Sequence, residues 1–334
     1  MGNKGREARS NGYGRGRGRA TDGGGRWVAS RAGCGESPVI LVTGATGTIG
    51  REVVRALPAG LRVRVMTRNP AKAVELFPGA GTRAGVEVVA GDYTDPPSLD
   101  RALRGVEKAF LVTTCVDGSD DAAFVSAACG VDVERVVKLS AAGVVDAGAG
   151  DLVTRRQRAN EDLLRGCGVG WTLLRPRAFM SNCLSWVGSV RGEGVVRGLY
   201  GMSPNACVDP RDVAEVAVRV LTEEGHGGCA YTLTGPEAVT AVDQTRELGR
   251  LLGIPLRFEE LTPDQARAAL GRRYPPPVVE ALLAGAERQR AGAKAQVEDT
   301  VRILTGRPAR SFRQWAQDHI GAFAPFPDGA GPCR

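Results

Sequence analysis

From residue 38 onward the chain alternates short apolar runs with segments whose apolar residues recur every three or four positions. Val39, Ile40, Leu41 and Val42 form a continuous apolar run, which suits a strand buried on both faces of a parallel sheet. The turn Gly44-Ala45-Thr46-Gly47 follows, and then Ile49, Val53, Val54 and Leu57 at helical spacing. The pattern repeats. Further strands are predicted at 61–66, 86–90, 108–113, 135–139 and 171–174, with helices from Thr94-Asp95-Pro96-Pro97 onward, around 122–129 and over about 154–165. Strands alternating with helices predict an α/β protein with a doubly wound parallel sheet.

Beyond residue 182 the periodicity weakens. The glycine-rich stretch 188–201 reads as a loop over the site, 207–213 as a short strand and a helix start, and 231–234 as another short strand. The last third is predicted mostly helical. Thr262-Pro263-Asp264-Gln265 combines an N-cap, a proline at the first helical position and a capping-box glutamine, and Ser311 with Gln314 repeats the device. Pro275, Pro276 and Pro277 separate two helices, and Gly306 with Pro308 ends another. The expected organisation is a disordered tail at 1–37, a nucleotide-binding domain at 38–182, a cap at 183–325 whose short strands can rejoin the main sheet, and a tail at 326–334.

Composition changes this picture little. Of the formal net charge of +7, the glycine- and arginine-rich residues 1–37 carry +5, from eight basic and three acidic side chains. GYGRGRGR therefore reads as a solvated tail, and the folded body is too nearly neutral for a nucleic-acid surface. No apolar run approaches a bilayer span and no secretory signal is visible, so a cytoplasmic protein without membrane or nucleic-acid partners is expected. The eight cysteines lack a C-x-x-C pair and are expected as reduced thiols; His226 and His319 are expected at the surface, with no metal site.

The candidate chemistry lies at the carboxyl ends of the predicted strands. A dinucleotide pyrophosphate needs bare backbone N–H groups at the positive end of a helix, and Gly44, Gly47 and Gly50 supply that opening as G-x-x-G-x-x-G. At the end of the second strand Arg68 offers a cationic fork to a 2′-phosphate where an acidic residue would repel it, which favours NADPH. Asp92, after the third strand, is placed to accept from an adenine amine or simply to make a turn, and Thr113 ends the fourth strand beside the cofactor.

TGATGTIG at 43–50, VRVMTRNPAKA at 63–73, GDYTD at 91–95, WTLLRPRAFMSN at 171–182, VDPRDVAEVA at 208–217 and LTGRPARSFRQW at 304–315 together resemble the NmrA-like branch of the atypical short-chain dehydrogenases/reductases. The resemblance covers about residues 38–325. It implies a Rossmann domain, a smaller substrate-binding part and NADPH between them. By matching position it implies that Gly44, Thr46, Gly47, Thr48, Ile49 and Gly50 hold the pyrophosphate, Arg68 the 2′-phosphate, Asp92 the adenine and Thr113 the ribose region. Phe179, Met180 and Asn182 would line the substrate pocket near the nicotinamide; for Phe179 and Met180 the alternative is core packing.

Ordinary short-chain reductases use Tyr-x-x-x-Lys, the lysine lowering the tyrosine pKa so that its hydroxyl protonates a carbonyl oxygen. None of the five tyrosines here has a lysine four residues on, and the corresponding helix offers Gln157 and Glu161. Ser140 and Gln157 are the remaining candidates to assist a substrate oxygen. Hydride chemistry belongs to the cofactor, so the missing acid narrows the substrate rather than excluding reduction. The expected activity is NADPH-dependent reduction of a conjugated or aromatic small molecule, of quinone, enone or imine type, in secondary metabolism such as antibiotic biosynthesis. An NADP(H)-sensing regulator and an isomerase or epimerase remain the alternatives, since all three share fold and cofactor site.

Overall fold

A computed structural model describes residues 39–77, 85–115 and 117–324. Its strands are β1 (Val39–Thr43), β2 (Arg62–Thr67), β3 (Val86–Ala90), β4 (Val106–Leu111), β5 (Arg135–Leu139), β6 (Gly170–Pro176), β7 (Val195–Gly198), β8 (Cys229–Leu233) and β9 (Arg257–Glu260). Its helices are α1 (Thr48–Ala56), α2 (Pro70–Leu76), α3 (Pro96–Leu103), α4 (Ser119–Cys129), α5 (Leu152–Gly166), α6 (Val187–Glu193), α7 (Pro210–Thr222), α8 (Ala241–Leu252), α9 (Pro263–Gly271), α10 (Pro276–Arg290), α11 (Thr300–Thr305) and α12 (Phe312–His319).

The alternation of β1 side chains builds both layers of the core. Ile40 and Val42 pack on the face that carries Ile49, Val53 and Val54 of α1 and Val213, Val216 and Val220 of α7. Val39 and Leu41 face the opposite layer, with Leu99 and Leu103 of α3, Phe124 and Val125 of α4 and Leu164 of α5. The main sheet runs β3-β2-β1-β4-β5-β6-β8, every neighbouring pair parallel. Strand order reverses between β1 and β4, and in such sheets ligands bind outside the carboxyl ends at the reversal. Thr43 bridges those two ends: its hydroxyl lies 3.2 Å from the Phe110 carbonyl and accepts the Val112 N–H at 2.8 Å.

After β6 the chain leaves for α6 and β7, returns as α7 and β8, leaves again through α8 to α10, and comes back as α11 against α7 before α12 packs on α8. The smaller part has its own core around Val190, Val196, Leu248, Phe312 and Trp315, and a second cluster on α9 and α10. Fully buried Asp212 of α7 ties the last segment down. It accepts the Arg310 backbone N–H at 2.7 Å and the Arg307 guanidinium at 2.8 Å, while Glu215 takes both arginines.

Three expectations need correction. Residues 188–201 are not a loop: they contain most of α6 and all of β7, which pairs in parallel with β9. Val190, Val195 and Val196 are buried there, so packing overrides the glycine content, and Gly194 ends α6 in the left-handed region at φ 67°. Residues 207–209 are not a strand; Val208 makes an isolated bridge to Phe179 before α7 starts, its N-cap Asp209 fully buried. The histidines are half-buried rather than surface groups, His226 Nδ1 lying 2.8 Å from the Tyr231 hydroxyl and His319 stacked on Trp315. The two capping boxes form as read. The expected tails lie outside the described residues. Among the described residues the cysteines are free, no cluster could hold a metal ion, and no helix is long and apolar enough to cross a membrane.

Candidate active site

The turn between β1 and α1 is shaped for close backbone approach. Gly44 sits at φ 60°, a conformation other residues rarely adopt. A Cβ on Gly50 would stand 2.4 Å from the Gly44 carbonyl oxygen, so only glycine lets α1 start directly against the turn. Gly47 is the N-cap and brings no side chain, which leaves the first N–H groups of the helix for an outside acceptor. Gly47 and Thr48 are exposed and Thr46 is half-buried, whereas the Ile49 side chain is in the core; Ile49 can offer only its backbone.

Arg68 and Asp92 stand at the carboxyl ends of neighbouring strands. Arg68 is exposed and makes no hydrogen bond or ion pair with any described residue, though its charge reaches Asp92. Asp92 Oδ1 accepts the Thr94 N–H and hydroxyl, both at 2.9 Å, and these bonds with Arg68 hold its carboxyl below the usual range. Asp92 thus makes a turn and keeps its other oxygen.

Beside the ends of β4 and β5 lies a buried polar network that the sequence did not suggest. The Thr113 hydroxyl donates to Asp121 Oδ2 at 2.6 Å, and Asn160 Nδ2 donates to the same oxygen at 2.8 Å. Asp121 is also ion-paired with Lys138 of β5, and both charges are buried. Thr113 therefore has its proton committed and retains its carbonyl. The available signal was a lysine inside the otherwise apolar Val136-Val137-Lys138-Leu139 run.

At the ends of β5 and β6, α5 presents Glu161 inward. Glu161 accepts the Ser140 hydroxyl at 2.6 Å, Arg175 through Nε at 2.9 Å and Nη2 at 2.5 Å, and Arg165 at 2.8 Å. Burial favours its protonated form, but the bonds from Arg175 and Ser140 and the charges of Arg175 and Arg165 outweigh it, and the carboxyl stays below its usual range. It is a carboxylate with its oxygens occupied. Ser140 spends its one proton on Glu161, so it can only accept from a further partner. Gln157 lies one turn earlier on the same helix face, and its Oε1 is buried without a hydrogen-bond partner. Arg158 braces the following loop, donating to the Val144 and Ala149 carbonyls at 3.0 and 2.6 Å.

Met180 is buried in the core of the smaller part, Phe179 is half-buried against the main core and bridged to Val208, and Asn182 is exposed. Of these three, Met180 and Phe179 both pack against protein, Met180 completely.

The family model described as NAD(P)H-binding matches residues 44–224. The chain is 56% identical over 287 residues to the (4-alkanoyl-5-oxo-2,5-dihydrofuran-3-yl)methyl phosphate reductase of Streptomyces griseus, covering 86% of this chain and 100% of the relative. It is 35% identical over 289 residues to the NAD(P)H azoreductase of Xenophilus azovorans, covering 85% and 99%. The crystal structure of the NADPH-dependent quinone oxidoreductase of Escherichia coli complexed with NADPH superposes with a TM-score of 0.73 at 27% identity, covering 84% of this chain and 99% of that one. This chain belongs to the NAD(P)H-binding family and stands among its NAD(P)H-dependent reductases.

Proposed function

We propose that the chain uses NADPH to reduce a conjugated carbonyl compound, a phosphorylated acyl-dihydrofuranone of the kind for which its Streptomyces griseus relative is named. One observation carries this reading: where the ordinary proton donor would stand, Glu161 is an occupied carboxylate and Gln157 has no acid to offer. The substrate must then hold its own developing charge. In a 4-alkanoyl-5-oxo-2,5-dihydrofuran the ring double bond ends on a carbon flanked by two carbonyl groups, which share the charge and let water supply the proton.

The residues present fit a dinucleotide, because Gly44, Gly47 and Gly50 leave the backbone at the start of α1 without obstructing side chains and the Gln157 oxygen awaits a donor. Reduced nicotinamide, when bound, would supply the hydride. In this reading the backbone of Gly44, Thr46, Gly47, Thr48, Ile49 and Gly50 receives the pyrophosphate, Arg68 the 2′-phosphate and the free Asp92 oxygen the adenine. Thr113 faces the ribose through its carbonyl, and Gln157 accepts an N–H or O–H from what lies over α5. Phe179 and Asn182 bound the substrate side, Met180 supports them from below, and residues 183–324 serve as the substrate-binding part.

The test is NADPH consumption with this furanone phosphate beside quinones and simple ketones. The furanone should be reduced and the simple ketones should not. Gln157→Leu should slow the reaction by less than the roughly 10²–10⁴-fold that follows loss of a general acid. Folded protein that binds NADPH and reduces none of these acceptors would favour the sensor alternative and sink the proposal.

A further inference from the structure

Three cations converge near the packing of α10 on α5. Arg177 directly follows β6, Arg288 lies in the last turn of α10, which packs on α5, and Lys294 follows α10. Backbone contacts hold them together: Arg177 Nη1 donates to the Ala293 carbonyl at 3.4 Å, the Ala293 N–H donates to the Arg288 carbonyl at 3.0 Å, and the Lys294 carbonyl accepts the Ala206 N–H at 2.9 Å. Their polar atoms are not used up. Arg177 Nε and Arg288 Nη1 are buried without a hydrogen-bond partner, and the Lys294 ammonium makes no hydrogen bond to any described residue.

Of the three carboxylates whose charge reaches the cluster, only Asp146 is ion-paired with it among the described residues. Asp146 is ion-paired with Arg288 and is felt by Arg177. Asp151 acts on Lys294 only at a distance, and its oxygens already accept the Thr154 N–H and hydroxyl at 2.9 and 2.7 Å. Glu298 acts on Arg177 while accepting Gln296 Nε2 at 2.7 Å. Burying like charges with unmet donors destabilises a fold unless an anion completes the site. A phosphate dianion has the acceptor oxygens and charge that three such donors require.

We propose that Arg177, Arg288 and Lys294 form the subsite that binds the phosphomonoester of the substrate. The assignment rests on the reductase reading above for the identity of the ligand, and on the cluster itself for its charge. The site stands at the end of β6, away from the β1–α1 turn and from Arg68, so it is separate from the phosphates of the dinucleotide.

The test uses protein saturated with NADPH, which fills the nucleotide's own phosphate sites. Calorimetric titration with inorganic phosphate should show binding to the wild type and at least tenfold weaker binding to Arg177→Gln and, independently, to Lys294→Met. In turnover, the ratio of kcat/KM for the furanone phosphate to that for its dephosphorylated alcohol should fall at least tenfold in either variant. Unchanged phosphate affinity in both folded variants, or a wild type that treats phosphate and alcohol alike, would overturn the subsite and leave the reductase reading standing. If no acceptor turns over, the reductase reading falls and the phosphate titration still decides the subsite.

Discussion

Lys294→Met measures what it costs the protein to hold a cation against two arginines. Burial pushes the Lys294 pKa down from 10.5 to about 8, Arg288 and Arg177 push it the same way, and Asp151 only partly opposes them. A depression of that size corresponds to about 3 kcal/mol against the charged form. Below pH 8 the lysine is charged in both the folded and the unfolded chain, and the whole penalty is present. Between pH 8 and 10.5 the folded protein has released the proton and the unfolded chain still holds it, so stability rises with pH and the penalty is gone at the upper end. Methionine keeps an unbranched stem without the charge. The variant should therefore be more stable than the wild type at pH 7 by up to about 3 kcal/mol, the gap closing toward pH 10.5. Urea unfolding of both proteins at pH 7, 8.5 and 10 reads this directly, since the other lysines and tyrosines titrate in both and cancel. Saturating phosphate at pH 7 should narrow the gap, because a ligand bound only by the folded wild type stabilises it by mass action. A methionine variant that is no more stable at pH 7, or a gap independent of pH, would refute the reasoning.

Arg68→Asp should reverse cofactor preference. A charge-assisted hydrogen bond of about 1.5–3 kcal/mol makes the wild type roughly ten- to a hundredfold selective for NADPH over NADH, and equal affinities by calorimetry would show Arg68 to be merely solvated. Asp121→Asn leaves Lys138 buried without its countercharge and should cost about 3–5 kcal/mol in urea unfolding. Adding Lys138→Met should recover most of that, and a loss under about 1 kcal/mol in the single variant would mean that the pair is not what holds α4 to β5.

The sheet and the phosphate turn were legible because their determinants are local. Apolar runs fix the strands, Gly44 takes a left-handed backbone conformation, and Gly50 sits where a Cβ would meet backbone. The same local logic misread 188–201: five glycines there suggest a loop, while the decisive fact is that Val190 and Val196 reach the core built by Leu248 and Trp315 far along the chain. Single residues suffered likewise. Ser140 looks like a free hydroxyl until Glu161 is brought against it, and Thr113 until Asp121 is. Arg177 and Arg288 lie more than a hundred positions apart, and in a chain with 39 arginines nothing in the sequence marks which of them meet. Charge clusters formed by tertiary approach leave no periodicity to read.

The repeated crossing of the chain between the sheet and the smaller part bears on how the reaction can be shielded. Hinge closure needs two bodies joined at a few pliable points. Here β8 extends the sheet from beyond the first excursion, and Arg307 and Arg310 fasten the return of the last one to Asp212. Several parallel tethers leave no simple hinge between the two. On the proposed reading, exclusion of water from the reacting bond then falls to the substrate's own bulk and to side-chain adjustments, and turnover should depend on how well a ligand fits more than on any slow opening of the protein.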